Sequence, residues 1–384
     1  MKITFFRIWS VLYVFFNALP LGFAHSYVHV IIDSSEDRPV KPYIKELGDI
    51  NGDGMIDILV ASAKGKGAFW YEAPKWIRHS IVSEGTFSEE GQLADIDGDG
   101  DLDAILPTPD GIFWFENALA EKPEGFAPWQ PHFIGSDGSN VHDLSVADLD
   151  NDGDLEVIVR YEKELRRPLT IWWQSAPLEW KPEAVSSHFG EGLAVGDVNN
   201  DGFKDLVINE ICLMKDRDSN EWNAFRFTEG MPDQLKVVCA DLNADGQVEI
   251  IVSPQSYVPE GRIGKIACFF FQSDGGTPRW SQVILEEGAA EVNKVHGIAV
   301  DDMDHDGDLD ITTSKRHDAK GTVEIAIFQN LDGSARKWNK SVITTMGSHN
   351  HQVADINGDG YPDIVGANWN DEALVEAWIT HRGE

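Results

Sequence analysis

One nine-residue pattern occurs seven times between Asp49 and Asp363, and it limits the possible folds more than any other feature of the chain. Every copy has Asp at position 1, Asp or Asn at 3, Asp-Gly at 5 and 6, and Asp or Glu at 9. In chain order the polar positions are Asp49, Asn51, Asp53 and Asp57; Asp95, Asp97, Asp99 and Asp103; Asp148, Asp150, Asp152 and Glu156; Asp197, Asn199, Asp201 and Asp205; Asp241, Asn243, Asp245 and Glu249; Asp302, Asp304, Asp306 and Asp310; and Asp355, Asn357, Asp359 and Asp363. Position 7 varies freely (Met55, Asp101, Asp154, Phe203, Gln247, Asp308, Tyr361), as expected where only a backbone carbonyl is used. Oxygen ligands at alternate positions, with a glycine to turn the chain, are how a short loop wraps a hard cation such as Ca²⁺. Up to seven such sites are expected, one per copy.

An EF-hand would need a bidentate Glu at position 12 and flanking helices. Here short apolar runs follow instead, such as Ile58-Leu59-Val60, Val157-Ile158-Val159 and Ile250-Ile251-Val252, and alternating stretches such as Leu144-Ser-Val146 precede. Both indicate strands, so each loop reads as the turn of a β-hairpin. A third strand follows in units such as Ala68–Tyr71, Ile112–Phe115 and Thr170–Trp173. A fourth opens on Trp with an apolar residue five places on, as in Trp129/Ile134 and Trp338/Ile343. First aspartates recur every 44 to 61 residues, and four strands at that period are the signature of a propeller blade. The expected fold is all-β: a seven-bladed β-propeller of four-stranded blades over residues 25–384.

The seventh unit runs out of chain near Trp378 and Ile379 without a fourth strand. His29-Val-Ile31 matches His79-Ser-Ile81 and His132-Phe-Ile134 in the outer strands of units one and two. The N-terminal segment is therefore expected to complete the last blade, which removes an open sheet edge. The three histidines themselves read as structural.

Residues 1–24 have the form of a signal peptide. Lys2 and Arg7 precede an apolar run from Ile8 to Phe16, and Gly22-Phe-Ala24 is a small-x-small cleavage site. An exported, secreted or periplasmic, protein with no membrane span after cleavage is expected; an uncleaved anchor is the alternative. The net charge of −34 is largely explained by the 24 carboxylates at loop positions. Without a basic stripe, binding to nucleic acid is not expected. Cys212, Cys239 and Cys268 lie in or beside strand-like runs and read as buried thiols, with one disulfide as the alternative.

Blade geometry puts all seven loops on one face. The starts of first strands and the ends of second strands share the other. Six residues before each first Asp stand Tyr43, Glu89, His142, Glu191, Leu235, His296 and His349. Second strands end with Arg160-Tyr161, Asn209-Glu210, Gln255, Lys315-Arg316-His317 and Asn368-Trp369, and His351 lies just beyond His349. These groups are expected to converge on a central funnel, a usual place for a ligand. His142, His296 and His349, with Glu89 or Glu191, suit one transition-metal ion such as Zn²⁺ or Mn²⁺. As an acid–base site, His with Arg160 or Tyr161 would move protons, and Arg316 and Lys315 would neutralise charge. Glu89, Glu191, Asn209, Gln255, His317, His351, Asn368 and Trp369 are candidate substrate contacts, Trp369 by stacking on a sugar ring.

The loops resemble the FG-GAP and VCBS repeat families over nearly all of the chain after residue 24. In those families similar loops bind Ca²⁺ in propellers, including the head of integrin α-subunits. The chain departs from the integrin-type pattern by lacking Phe-Gly before the first strand and by having Gly366-Ala-Asn368 in place of Gly-Ala-Pro. The Val141-His142 and Val295-His296 starts, followed by Asp-Gly-Asp-Leu loops, are similar to the propeller of aldos-2-ulose dehydratases. Propeller-type polysaccharide lyases are similar in architecture. These resemblances imply a carbohydrate-active lyase or dehydratase that removes a proton next to a carbonyl or carboxylate. A non-catalytic propeller binding glycan or protein is the rival reading, and a metal-dependent hydrolase a third.

Overall fold

The computed structural model describes residues 25–382, except 118–128, 137–140, 162–168, 186–190, 217–218, 233, 275 and 289–291. The segment read as a signal peptide lies outside the described residues. In every loop the N–H of position 5 and that of the position-6 glycine donate to the two oxygens of the position-1 aspartate; in the first, Asp53 N to Asp49 Oδ1 is 3.0 Å and Gly54 N to Asp49 Oδ2 is 2.8 Å. This closure holds the glycine at φ between 88° and 99° in all seven copies. Only glycine enters that region at low cost.

Position 2 is apolar in every copy. Ile50, Ile96, Leu149, Val198, Leu242, Met303 and Ile356 are each at most 3 % exposed. Each packs into the core between its own blade and the next, and Ile356 joins the last blade to the first. The loop thus ties neighbouring blades together as well as turning its own hairpin.

Position 9 has a structural role of its own. Asp57 is fully buried, and its oxygens accept N–H groups from Ile50 (3.1 Å) and Ala73 (2.8 Å). Asp103 does the same for Ile96 and Asn117, and Asp363 for Ile356 and Thr380. These carboxylates anchor the hairpin to the third strand, and burial pushes Asp57 up to about 7 and Asp103 to about 8. Glu156 in addition sits close to Asp148 and Asp150 of its own loop.

The result is seven four-stranded antiparallel sheets. Their inner strands are Pro42–Gly48, Gln92–Ala94, Val141–Ala147, Leu193–Gly196, Leu235–Ala240, Val295–Asp301 and Asn350–Ala354. Neighbouring inner strands touch around the whole circle, blade 7 against blade 1 included. The molecule is a seven-bladed β-propeller, and among the described residues it has no helix that could cross a membrane.

Blade 7 closes as expected. His25–Asp33 pairs antiparallel with Val375–Arg382, in the register His29 to Trp378. His29, His79 and His132 stack on Trp378, Trp70 and Trp114 and pair with Glu376, Glu72 and Glu116 at 2.5, 2.7 and 2.6 Å, which fits their structural reading. Blade 4 supplies a third strand with no clear sequence signal, Ile211–Lys215, after a two-residue turn at Asn209-Glu210. The three cysteines are free thiols.

Candidate functional site

The site forms where strand pairing breaks down. In blade 3 the register slips between Val141 and Asp143, so His142 is the extra residue of a bulge. In blade 6 it slips between Val295 and Gly297, which leaves His296 in the same position. A bulge re-aims a side chain that regular pleating would direct elsewhere. In blade 7 His349 stands just before its strand, its N–H bonded to Ala367 O at 2.9 Å. The inner strand of blade 2 has three residues, the shortest of the ring, and Glu89 lies on the irregular segment that leads into it.

That irregular segment is held by two lysines, one buried and one half-buried. Lys45, the extra residue of a third bulge, is 1 % exposed and donates to the carbonyls of Ser88, Glu89 (2.7 Å) and Glu90 (3.1 Å). Lys236 of blade 5 pairs with the Glu90 carboxylate at 2.6 Å. A buried ammonium is costly unless its donors are satisfied, and here three carbonyls satisfy it. Burial still pushes Lys45 down to about 7, against the opposing pull of Glu90 and Glu89.

Glu89 therefore sits among the three histidines. Its Oε1 is 3.2 Å from His296 Nδ1 and 3.9 Å from His349 Nδ1. Its Oε2 is 3.9 Å from His142 Nε2, which is also 3.7 Å from Glu191 Oε1. The rings of His296 and His349 lie 4.1 Å apart, and neither Nδ1 has a hydrogen-bond partner although both are buried. Burial, reinforced by each other's proximity or by Lys236 and Arg316, holds both imidazoles well below the usual histidine range.

His142 differs in electrostatics. Its Nδ1 lies 3.3 Å from Asp143 Oδ1, and Asp143 is in turn bound by Arg160 Nε. Burial disfavours its charged form, but Asp143, Glu89 and Glu191 outweigh that and raise it to about 10. Burial also opposes ionisation of Asp143, and the cations of Arg160 and His142 overcome it, so its carboxyl stays far below the usual range.

These groups line a cavity of about 460 Å³, within the span of small-molecule sites. Its wall also carries Tyr43, Gln234, Gln255, Arg316 and Trp369. Trp369 stacks on His349 at 5.9 Å with Lys41 over its ring, and Gln255 is 2 % exposed with an unpartnered Oε1. A second hollow of about 450 Å³ lies on the loop side near Trp173 and Phe203, but Lys215 covers the Trp173 ring there.

Of the residues expected to converge, Glu89, His142, Glu191, Gln255, His296, Arg316, His349 and Trp369 do so. Several others are placed elsewhere. Arg160 is turned onto Asp143 behind His142, and Tyr161 is buried in the core between blades 2 and 3. Lys315 is buried against Glu324 at 3.0 Å. His351 points between blades 6 and 7, bonded to Thr312 and Ser314 at 2.7 and 2.8 Å. Asn209 is buried in its turn, His317 is exposed, and Asn368 is outside the cavity lining. The physical reason is common to most of them: alternation sends every second residue of a strand end into an inter-blade core. Leu235 is fully buried, and its neighbour Gln234 takes the wall position. Tyr43, in the register of the histidines, lines the cavity as expected, and Lys41, outside that register, lies over the Trp369 ring.

In the loops, three carboxylates come within 4.8 Å of one another at Asp95, Asp97 and Asp99, at Asp148, Asp150 and Glu156, and at Asp302, Asp304 and Asp306. These are the three copies with Asp at position 3. Where position 3 is Asn, its amide donates to another loop acid, as Asn357 does to Asp359 at 3.1 Å.

The FG-GAP-like repeat family matches residues 49–106 and 95–159. No curated protein sequence matches the chain significantly. Among solved structures, a lectin from Agrocybe aegerita, described as recognising non-reducing terminal N-acetylglucosamine, is similar at 16 % identity and a TM-score of 0.53, covering 88 % of this chain and 85 % of its own. Virginiamycin B lyase from Staphylococcus aureus is similar at 8 % identity and a TM-score of 0.55, covering 92 % and 99 %. At such identities the likeness is one of fold. The chain is thus a seven-bladed β-propeller carrying FG-GAP-like repeats.

Proposed function

We propose that this propeller is an exported, calcium-stabilised, carbohydrate-active enzyme of lyase or dehydratase type, with its reaction in the central funnel. The observation that carries the reading is the meeting of Glu89, His142, Glu191, His296 and His349 in one cavity beside the Trp369 ring. In such a reaction a base takes the proton from carbon next to a carbonyl or carboxylate. The electron pair becomes a carbon–carbon double bond as the neighbouring carbon–oxygen bond breaks, and the leaving oxygen receives a proton. His142, Glu191 and Tyr43 line the cavity at positions where they would exchange those protons. Trp369 offers a face for a sugar ring, the Gln255 Oε1 an acceptor for a hydroxyl, and Arg316 a cation for an acid group.

The rival, a non-catalytic glycan-binding propeller, uses the same wall without chemistry. The two solved structures show that one fold serves both a lectin and a lyase, so the fold does not choose between them. Incubation with a panel of uronate-containing and neutral glycans, followed by ultraviolet absorbance of an unsaturated product and by mass spectrometry, tests the proposal. Product formation that His142→Ala abolishes is the expected result. Binding without product in the wild type would transfer the reading to the rival.

A further inference from the structure

We infer that the funnel floor is a mononuclear metal centre, in which Glu89, His296 and His349 hold one divalent transition-metal ion distinct from any cation in the loops. The inference deepens the funnel reading above and rests on it only for the location of the site.

Four independent observations converge. First, one ligand atom from each of Glu89, His296 and His349 lies within 4.8 Å of those of the other two, and Glu89 Oε1 is 3.2 Å from His296 Nδ1 and 3.9 Å from His349 Nδ1. Two atoms bound at about 2.1 Å to one ion near tetrahedral angles are about 3.4 Å apart. The cluster therefore needs only small side-chain shifts to close on an ion. Second, both imidazole nitrogens are buried and lack a hydrogen-bond partner. Such orphans are costly in a folded interior, and an ion that accepts both lone pairs removes the cost.

Third, the ligands arrive from three different blades through irregular backbone. His296 is the extra residue of a bulge, His349 precedes its strand, and Glu89 lies on the segment before the shortest inner strand. The shared register brings the three positions to one height, and the irregular backbone re-aims their side chains. Fourth, the carboxylate ligand has a support. Lys45 and Lys236, from blades 1 and 5, fix the backbone and the next side chain on either side of Glu89. Ligands of a functional metal are characteristically held by a second layer of contacts.

The donor set selects the ion. Two neutral imidazoles and one carboxylate suit Zn²⁺, Mn²⁺ or Fe²⁺, whereas the loops offer oxygen alone and suit Ca²⁺. Three protein ligands leave positions open for substrate or water, as in catalytic rather than structural sites. The open side faces the cavity lined by His142, Glu191 and Trp369.

The test starts from full-length mature protein stripped with chelator and then saturated with Ca²⁺, so that the loops are refilled. Co²⁺ is then titrated in, and its visible absorption and equilibrium dialysis are followed. One tightly held equivalent is expected in the wild type. His296→Ala, His349→Ala and the isosteric Glu89→Gln should each weaken it at least a hundredfold at unchanged melting temperature in Ca²⁺. Glu89→Gln keeps the test valid if either histidine variant fails to fold. A wild type that takes up no Co²⁺ above the Ca²⁺-saturated background overturns the inference, as does uptake that all three variants retain. Binding of D-glucuronate, followed by ligand-observed NMR on the same samples, separates the two readings. Metal without glucuronate or other sugar binding supports the centre and weakens the carbohydrate reading, and sugar binding without metal does the reverse.

Discussion

The two faces of the ring are built on opposite principles. The loop face repeats one solution seven times: the same aspartate closes the turn, the same glycine adopts φ near 90°, and the same apolar residue plugs the next interface. The funnel face varies from blade to blade. Its inner-strand starts supply Tyr43, Glu89, His142, Glu191, Leu235, His296 and His349, and the residues that meet do so through bulges and a shortened strand. Repetition serves stability, because each copy solves the same local problem. Chemistry needs several different groups at one point, so symmetry must be broken there. The loops should therefore govern whether the chain folds, and the funnel what it does.

The most severe way to challenge this division leaves both faces intact. Deleting residues 25–33 uncovers the Val375–Arg382 strand edge and part of the core that includes Ile32. The expected outcome is loss of folded monomer, read by size-exclusion chromatography; a soluble monomer with normal melting would show that closure is dispensable. Next in size is removal of divalent cations. A site filled at a hundred times its Kd contributes about 2.7 kcal/mol, and each kcal/mol is worth roughly 2–4 °C in a domain of about 200 residues. EDTA should lower the melting temperature by more than about 10 °C, with recovery in Ca²⁺ but not in Na⁺. Identical melting with and without EDTA would break the proposed link between loops and stability.

A single loop should register more faintly. Gly100 sits at φ 99° with nothing within 4 Å of an added Cβ, so Gly100→Ala tests backbone conformation alone. A loss of about 1–3 kcal/mol in urea unfolding is expected. The smallest stability effect should come from the funnel. His296→Ala removes packing but also a buried nitrogen without a partner, an orphan that itself costs about 1–3 kcal/mol. Its net change should stay within about 1 kcal/mol while metal uptake is lost. A larger loss would mean that the funnel carries structural weight and would blur the contrast between the faces.

Legibility followed the same division. The loops, the strand period, the blade number and the closure by His29-Val-Ile31 were all readable because each is local and repeated. The funnel was half readable. Counting back from each loop found six wall residues in one register, because inner strands of equal role start at the same height. Counting could not reveal the bulges at His142, His296 and Lys45, since a bulge depends on pairing with the neighbouring strand. For the same reason His351 and Tyr161 were expected in the funnel and are found between blades. A lysine in an alternating strand reads as solvent-facing, and the burial of Lys45 is explained only by the carbonyls of residues 88–90. The apolar second position of the loop is equally plain in the sequence, but its role between blades shows only once the blades are packed.

The pairing of His25–Asp33 with Val375–Arg382 has a consequence for the order of assembly. The strand made first has its partner made last, more than three hundred residues later. Contacts of such separation form slowly, because the intervening chain must be gathered before they reward it. The first strand must then wait, unpaired, while every other blade is synthesised and, if the chain is exported, threaded across a membrane. The ring can close only once Val375–Arg382 is available to pair, so this contact is among the last that the architecture allows.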